Sequence, residues 1–465
     1  MLNGIYGGIC LAAKKYEIDM SSGSLVKSII AFVIPLMLSN ILQLLYNAAD
    51  IIVVGQFTGK EALAAVGSTG PLINLLTNLF IGLSVGTSVL ISTCYGAGDR
   101  DGVHKGVHTS VILSFIGGIL CLAVGVCFAR PLLLMMGSPE DVIDMAVLYM
   151  TIYFIGAPAS IFYNFGSAIL RAYGDTKRPL FILTVTGLVN VALNLIFVLG
   201  FHMGVEGVAI ATITAQYLSA LMLGWCLMTS NEAYRLSLKE LKVHKDQLLA
   251  ILRVGLPAGI QSCVFSISNV IIQSSINSFG SVVIAGNSAA GNIEGFIYTA
   301  MNSIHHATVT ATAQNMGAKK KDRVYKSLRV NIALVVTVGL VLGILVVLFR
   351  EQLLSIYSSD PEVIAAGARR NMIIGSTYFL CGMMEVYVGH LRGMGYSLVP
   401  TIVSIVGVCG VRIVWVYTVF AMFRNVYTLY AAWTVSWLAT AAIHYICILF
   451  VRRRAIAKAM QGAEA

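Results

Sequence analysis

The chain has 465 residues, 57% of them hydrophobic and only 11% charged, where globular domains carry roughly 45–50% and about 25%; a soluble enzyme, a disordered chain and a collagen are excluded. A mean hydropathy of +0.83 and 44 glycines fit a protein dissolved in lipid, where glycine is commoner in helices than it is in water. The formal charge of +10 falls in short blocks between apolar runs rather than on one basic face, so it marks membrane topology and not a nucleic-acid partner.

In chain order, residues 1–23 come first. The apolar run from Ile5 to Ala13 has no basic residue before it and Lys14-Lys15 after it, the reverse of a secretory signal, so this N-terminal extension is left out of the fold, with Met20 as an alternative start. A bilayer core of about 30 Å needs roughly 20 apolar residues per helix. Twelve such runs follow, and the predicted fold is an all-α integral membrane protein. Six make an N-lobe over residues 24–230: 26–55, 61–95, 106–129, 142–170, 178–200 and 205–229. The charged stretch 231–247 reads as a solvated cytoplasmic linker. Six more make a C-lobe over 248–452, namely 249–279, 281–315, 327–349, 363–390, 397–422 and 426–451, with a tail over 453–465. Several runs are too long to cross straight, and Pro35, Pro158 and Pro257 are their bend points. The nine cysteines lie mostly inside the runs without a C-x-x-C pair, so neither disulfide nor metal is expected. With both termini inside, 24 of the 31 basic residues fall on the inner side, which predicts a multi-pass plasma-membrane protein with cytoplasmic termini.

The two halves superimpose along the sequence. Tyr95-Gly96-Ala97 recurs as Met316-Gly317-Ala318, Asp101, Val103 and Lys105 as Asp322, Val324 and Lys326, and Leu170-Arg171-x-x-Gly174 with Pro179 as Leu391-Arg392-x-x-Gly395 with Pro400, all at an offset of 221. At 222, Pro35 meets Pro257 and Pro139-Glu140 meets Pro361-Glu362. An even number of spans per half makes the repeats parallel, related by a pseudo-two-fold along the membrane normal. That arrangement is typical of transporters that alternate access by rocking one bundle against the other.

Three signatures carry a family resemblance: Gln314-Asn315-x-Gly317-Ala318 followed by Asp322-Arg323, the duplicated Leu-Arg-x-x-Gly, and Asp50-x-x-x-x-Gly55 followed by Ala62-Leu63-Ala64-Ala65-Val66-Gly67. Together they resemble the multidrug and toxic compound extrusion (MATE) family over residues 24–452. The resemblance implies a two-lobed exporter of organic cations or amphipathic aromatic compounds, coupled to proton or sodium entry, with no cofactor and no catalytic residue, acting as a monomer in the bilayer. It also implies a cation site built from Asp50, Tyr46, Asn190, Asn194 and Thr212. In family members with the fullest such site the second position of the Asn190/Asn194 pair is aspartate, so the site here has one carboxylate, which leans towards protons over sodium.

An ionisable side chain in hydrocarbon costs at least roughly 2.5–3.5 kcal/mol, so each one asks for a reason. A carboxylate in a partly dry cavity takes up and releases a proton as its surroundings change, and Asp50, with Tyr46 at i−4, suits that use. The C-lobe has Ile272 at the corresponding position, so the acidic site belongs to one lobe. Glu294, Glu385 and Arg412 are candidates for a substrate or second charge site, with Arg412 neutralising one of the acids. His305, His306, His390 and His444 read as packing residues. Aromatic and methionine side chains at 153–165 and 378–387 are candidate walls for a flat substrate. The alternative functions are a flippase for a lipid-linked precursor or an exporter of an endogenous metabolite; an integral-membrane enzyme lacks zinc spacing, a nucleophile elbow or a phosphate loop to support it.

Overall fold

The computed structural model describes residues 16–136 and 142–461. The expectations for residues 1–15, for Pro139-Glu140 and for the last four residues of the tail lie outside the described residues. The described residues contain helices and no strand. In lipid no water can satisfy exposed backbone groups, so each spanning segment must bond to itself.

In the first repeat the helices are α1 (Leu25–Phe57), α2 (Lys60–Ala97), α3 (Arg100–Cys127), the short α4 (Ala129–Met135), α5 (Ile143–Ile155), α6 (Ala157–Ala172), α7 (Lys177–Leu195) and α8 (Val205–Thr229). In the second they are α9 (Lys245–Asn277), α10 (Ser281–Gly317), α11 (Lys321–Leu348), the short α12 (Arg350–Ser355), α13 (Pro361–Arg370), α14 (Ser376–Gly393), α15 (Leu398–Ser404), α16 (Val411–Trp415) and α17 (Val426–Gln461). π-helical turns extend α7 (Ile196–Gly200), join α13 to α14 (Asn371–Gly375) and flank α16 (Ile405–Gly410 and Val416–Phe420). Ten helical segments of the described residues are long and apolar enough to cross a membrane, and the bent pair α5–α6 makes an eleventh. The twelfth span is α10. At 37 residues it reaches about 55 Å, but it is less apolar because its buried face carries Asn287, Glu294, Ser303, His305, Gln314 and Asn315.

The repeated signatures turn out to be helix stops. Gly174 and Gly395 take positive φ, 82° and 84°, a conformation that favours glycine. Their amides bond back to Arg171 and Arg392, and the next amides reach Leu170 and Leu391, closing α6 and α14 alike. Of the three prolines expected to bend their helices, only Pro158 adjoins a sharp break among the described residues, 46° between α5 and α6. The helices carrying Pro35 and Pro257 run through them without interruption.

The chain divides into two compact units, one of residues up to Asp19 with Ile34–Gly259, the other of Met20–Val33 with Ile260–Ala465. Both α1 and α9 are therefore shared, each changing unit within a few residues of its proline. Residues 16–23, left out by the sequence reading, are part of the fold. Met20 is fully buried, its amide donates to Gln314 at 2.9 Å, and its carbonyl accepts from Asn315 at 3.0 Å and Arg323 at 2.9 Å. The stretch 231–247 is likewise more than a solvated connector. Tyr234 and Leu236 are buried, Arg178 donates to the Tyr234 hydroxyl at 2.9 Å, and the His244 amide donates to Thr109 at 3.1 Å. Within the first unit α2 crosses the start of α9 at glycines: a side chain on Gly82, Gly86 or Gly255 would collide with the facing backbone. Without a hydrophobic force between helices in lipid, such close approach supplies the dispersion contacts that hold them.

Candidate functional site

In the first unit the predicted cluster assembles. Asp50 lies in the last third of α1, half-buried. Asn194 donates to Asp50 Oδ1 at 2.5 Å and Thr212 donates to Oδ2 at 3.2 Å. The same Asn194 amide nitrogen is 3.5 Å from Asn190 Oδ1, one turn back on α7. Asn194 Oδ1 is buried without a donor, so the cluster offers one carboxylate and a spare neutral oxygen. No basic side chain lies within 4.0 Å of Asp50 among the described residues. Tyr46 takes a supporting place: its hydroxyl donates to the Thr184 carbonyl at 3.3 Å, and its ring occupies the space that any side chain on Gly187 would need. Glycine at 187 is what lets α1 and α7 meet there. The π-helical turn Ile196–Gly200 begins just past Asn194, a local widening frequent at functional sites.

The second unit arranges its charges differently from expectation. Glu294 is paired, but with Arg370 and not with Arg412. Arg370 Nε and Nη2 reach the two Glu294 oxygens at 2.8 and 2.7 Å, and Nη1 reaches Asn287 Oδ1 at 2.5 Å. Glu385 faces His305, whose Nδ1 lies 3.3 Å from its carboxylate and 2.8 Å from its backbone carbonyl. Arg412 is 5% exposed and has no carboxylate within 4.0 Å among the described residues. Its Nε donates to Ser436 at 3.0 Å, and its guanidinium stands 5.2 Å from the Trp433 ring and 5.9 Å from Trp437.

Arg370 is the residue the sequence reading missed. Counted as outside the membrane beside Arg369, it is instead 7% exposed, at the end of α13 where the π-helical turn begins. The position of a basic pair at the seventh and eighth residues of the run 363–390 was the available signal. His390 bonds to Thr312 at 3.0 Å and His444 to the Pro400 carbonyl at 3.3 Å, the packing roles expected of them. Phe154 and Phe165 are fully buried, so they fill the core and do not wall a path. One cluster was not foreseen. His104, His108 and Glu240 bring ligand atoms within 4.8 Å of one another, although both His108 nitrogens already bond to backbone, to His104 at 2.7 Å and Ser237 at 3.1 Å.

Helices that cross a membrane, a twofold internal repeat and buried polar clusters define a membrane transporter. The sequence profile of the MatE family matches the chain twice, at residues 35–196 and 257–418, and the chain belongs to that family of multidrug efflux transporters. The two matches begin and end 222 residues apart. The probable multidrug resistance protein YoeA of Bacillus subtilis is 31% identical over 400 residues, 84% of this chain and 86% of that one. The probable multidrug resistance protein NorM of Thermotoga maritima is 26% identical over 391 residues, 83% of this chain and 84% of that one. Among solved structures, the outward-facing conformation of a multidrug resistance MATE family transporter of the MOP superfamily superimposes with a TM-score of 0.87 at 23% identity, covering 96% of this chain and 99% of that one.

Proposed function

We propose that the protein is a secondary exporter that moves amphipathic organic compounds out of the cell in exchange for protons, by alternating access of its two repeats. The observation that carries this reading is Asp50. It is a carboxylate among Asn190, Asn194 and Thr212 inside a helical bundle, with no basic partner among the described residues. A structural ion pair would need a cation there, and a packing residue would not need a charge. Sodium in place of the proton would have to be completed by amide and hydroxyl oxygens, weaker ligands than charged ones. The kinship with multidrug resistance proteins supports drug-like substrates. The bias of basic residues towards one side supports cytoplasmic termini in the plasma membrane.

In this reading Asp50 accepts a proton in one state and releases it in the other. Asn194 and Thr212 hold its oxygens by donating, and Tyr46 fixes α1 against α7. In cells, Asp50→Asn should insert and fold but lose gradient-driven export of a fluorescent organic compound; export at the wild-type rate would overturn the assignment.

A further inference from the structure

We infer that the second unit binds the anionic group of a flat aromatic compound, with Arg412 as the charge that recognises it. The proposal deepens the export reading by naming a substrate class and rests on that reading for its physiological meaning.

The offset of 222 residues that brings Pro35 onto Pro257 places Asp50, on the same helix as Pro35, on Ile272. At that position the first unit therefore carries an acid and the second an aliphatic side chain, while the second unit carries a guanidinium, Arg412, in its interior. Ile272 is 1% exposed, so the second unit has buried hydrocarbon where the first has its carboxylate. The neighbouring acids are engaged: Glu294 spends both oxygens on Arg370, and Glu385 faces His305. Beyond its bond to Ser436, the Arg412 guanidinium makes no hydrogen bond among the described residues. A buried guanidinium is costly in a membrane interior and marks a functional site unless a partner explains it.

The surroundings define what fits. Arg370 lies 5.1 Å from the same Trp433 ring that Arg412 approaches, and Tyr378 lies 5.2 Å from Trp437. Indole and phenol faces take an aromatic ring, while a planar guanidinium matches the oxygens of a carboxylate, sulfonate or phosphate. π-helical turns on both sides of α16 are a further mark of a site under functional constraint.

The test is calorimetric titration of the purified full-length protein in lipid-free detergent with naphthalene-2-sulfonate and with neutral 2-naphthol. Wild type should bind the sulfonate at least about tenfold more tightly. Arg412→Gln, checked for an unchanged elution profile, should erase that preference, and Arg412→Lys should keep part of it. Equal binding of the two compounds by wild type, or an unaltered preference in Arg412→Gln, overturns the proposal. Energy transfer from tryptophan to bound naphthalene-2-sulfonate provides a readout with Arg412 intact: it should fall by about half or more in Trp433→Phe, and no change overturns the proposal. Repeating the titration with phosphatidylglycerol separates the two sources of an anion. Unaltered affinity supports a solute site, whereas Arg412-dependent competition assigns the site to a lipid headgroup and overturns it. No transport is read, so a failure of the export reading and a failure of this one remain distinct.

Discussion

The polar interiors of the two units carry opposite unpaired charges. In the first, Asp50 is held by two neutral donors, with no basic side chain within 4.0 Å among the described residues. In the second, Ile272 replaces the acid, Arg412 is buried with no carboxylate within 4.0 Å among the described residues, and a separate pair, Glu294 with Arg370, is closed upon itself by two hydrogen bonds. A duplicated fold keeps its helix stops at the same places, Gly174 and Gly395, while its polar interior diverges. The scaffold is what the two halves share, and the chemistry is what each half acquired.

This difference predicts unequal responses to neutralising one charge. The largest loss of stability should come from Glu294→Gln, which leaves Arg370 buried beside no counter-charge and should cost about 3–5 kcal/mol, read by denaturation in detergent; Glu294→Gln combined with Arg370→Met should recover most of it. Next comes Gly187→Ala, which forces the Tyr46 ring off α7 and should cost about 1–3 kcal/mol, with a matching loss of transport. Asp50→Asn and Arg412→Gln break no ion pair and remove a charge that is costly in hydrocarbon, so neither should destabilise on the scale of Glu294→Gln; a cost as large as that of Glu294→Gln would erase the distinction between closed and open charges.

A pH-dependent effect lies at the loop before α7, where only the first unit has an acid. Burial pushes the Asp175 carboxyl up to about 6, against the opposing pull of Arg178. The folded protein thus holds that proton more readily than the unfolded chain, so the Asp175 contribution favours folding as pH falls from about 6 towards 4. Subtracting the stability curve of Asp175→Asn from that of wild type should isolate this slope.

Much of this was legible in the sequence. The span from Val205 to Thr229 is where the apolar run places it. Asp50 of α1 meets Asn194 of α7 and Thr212 of α8, with Asn190 one turn back from Asn194 on the same face of α7. What hydropathy reads is contact with lipid, so it misses what lies beyond the bilayer. The charged first turns of α3 and α11 begin six residues before the runs 106–129 and 327–349, and the short α4 and α12 were not expected at all. It also misses what lies deep inside the protein. Arg370 looks like a loop charge until Glu294, 76 residues away in sequence, is found beside it. No local pattern encodes that pairing, and none marks the π-helical turns that follow Arg370 and flank Arg412.

The central claim is that Asp50 couples ion entry to export. Purified protein in liposomes, loaded with a fluorescent amphipathic organic compound, can be given a pH gradient or, separately, a sodium gradient, for wild type and Asp50→Asn. The account predicts wild-type efflux driven by the pH gradient and none above background from the folded variant. Efflux by Asp50→Asn at the wild-type rate under the same gradient would contradict it.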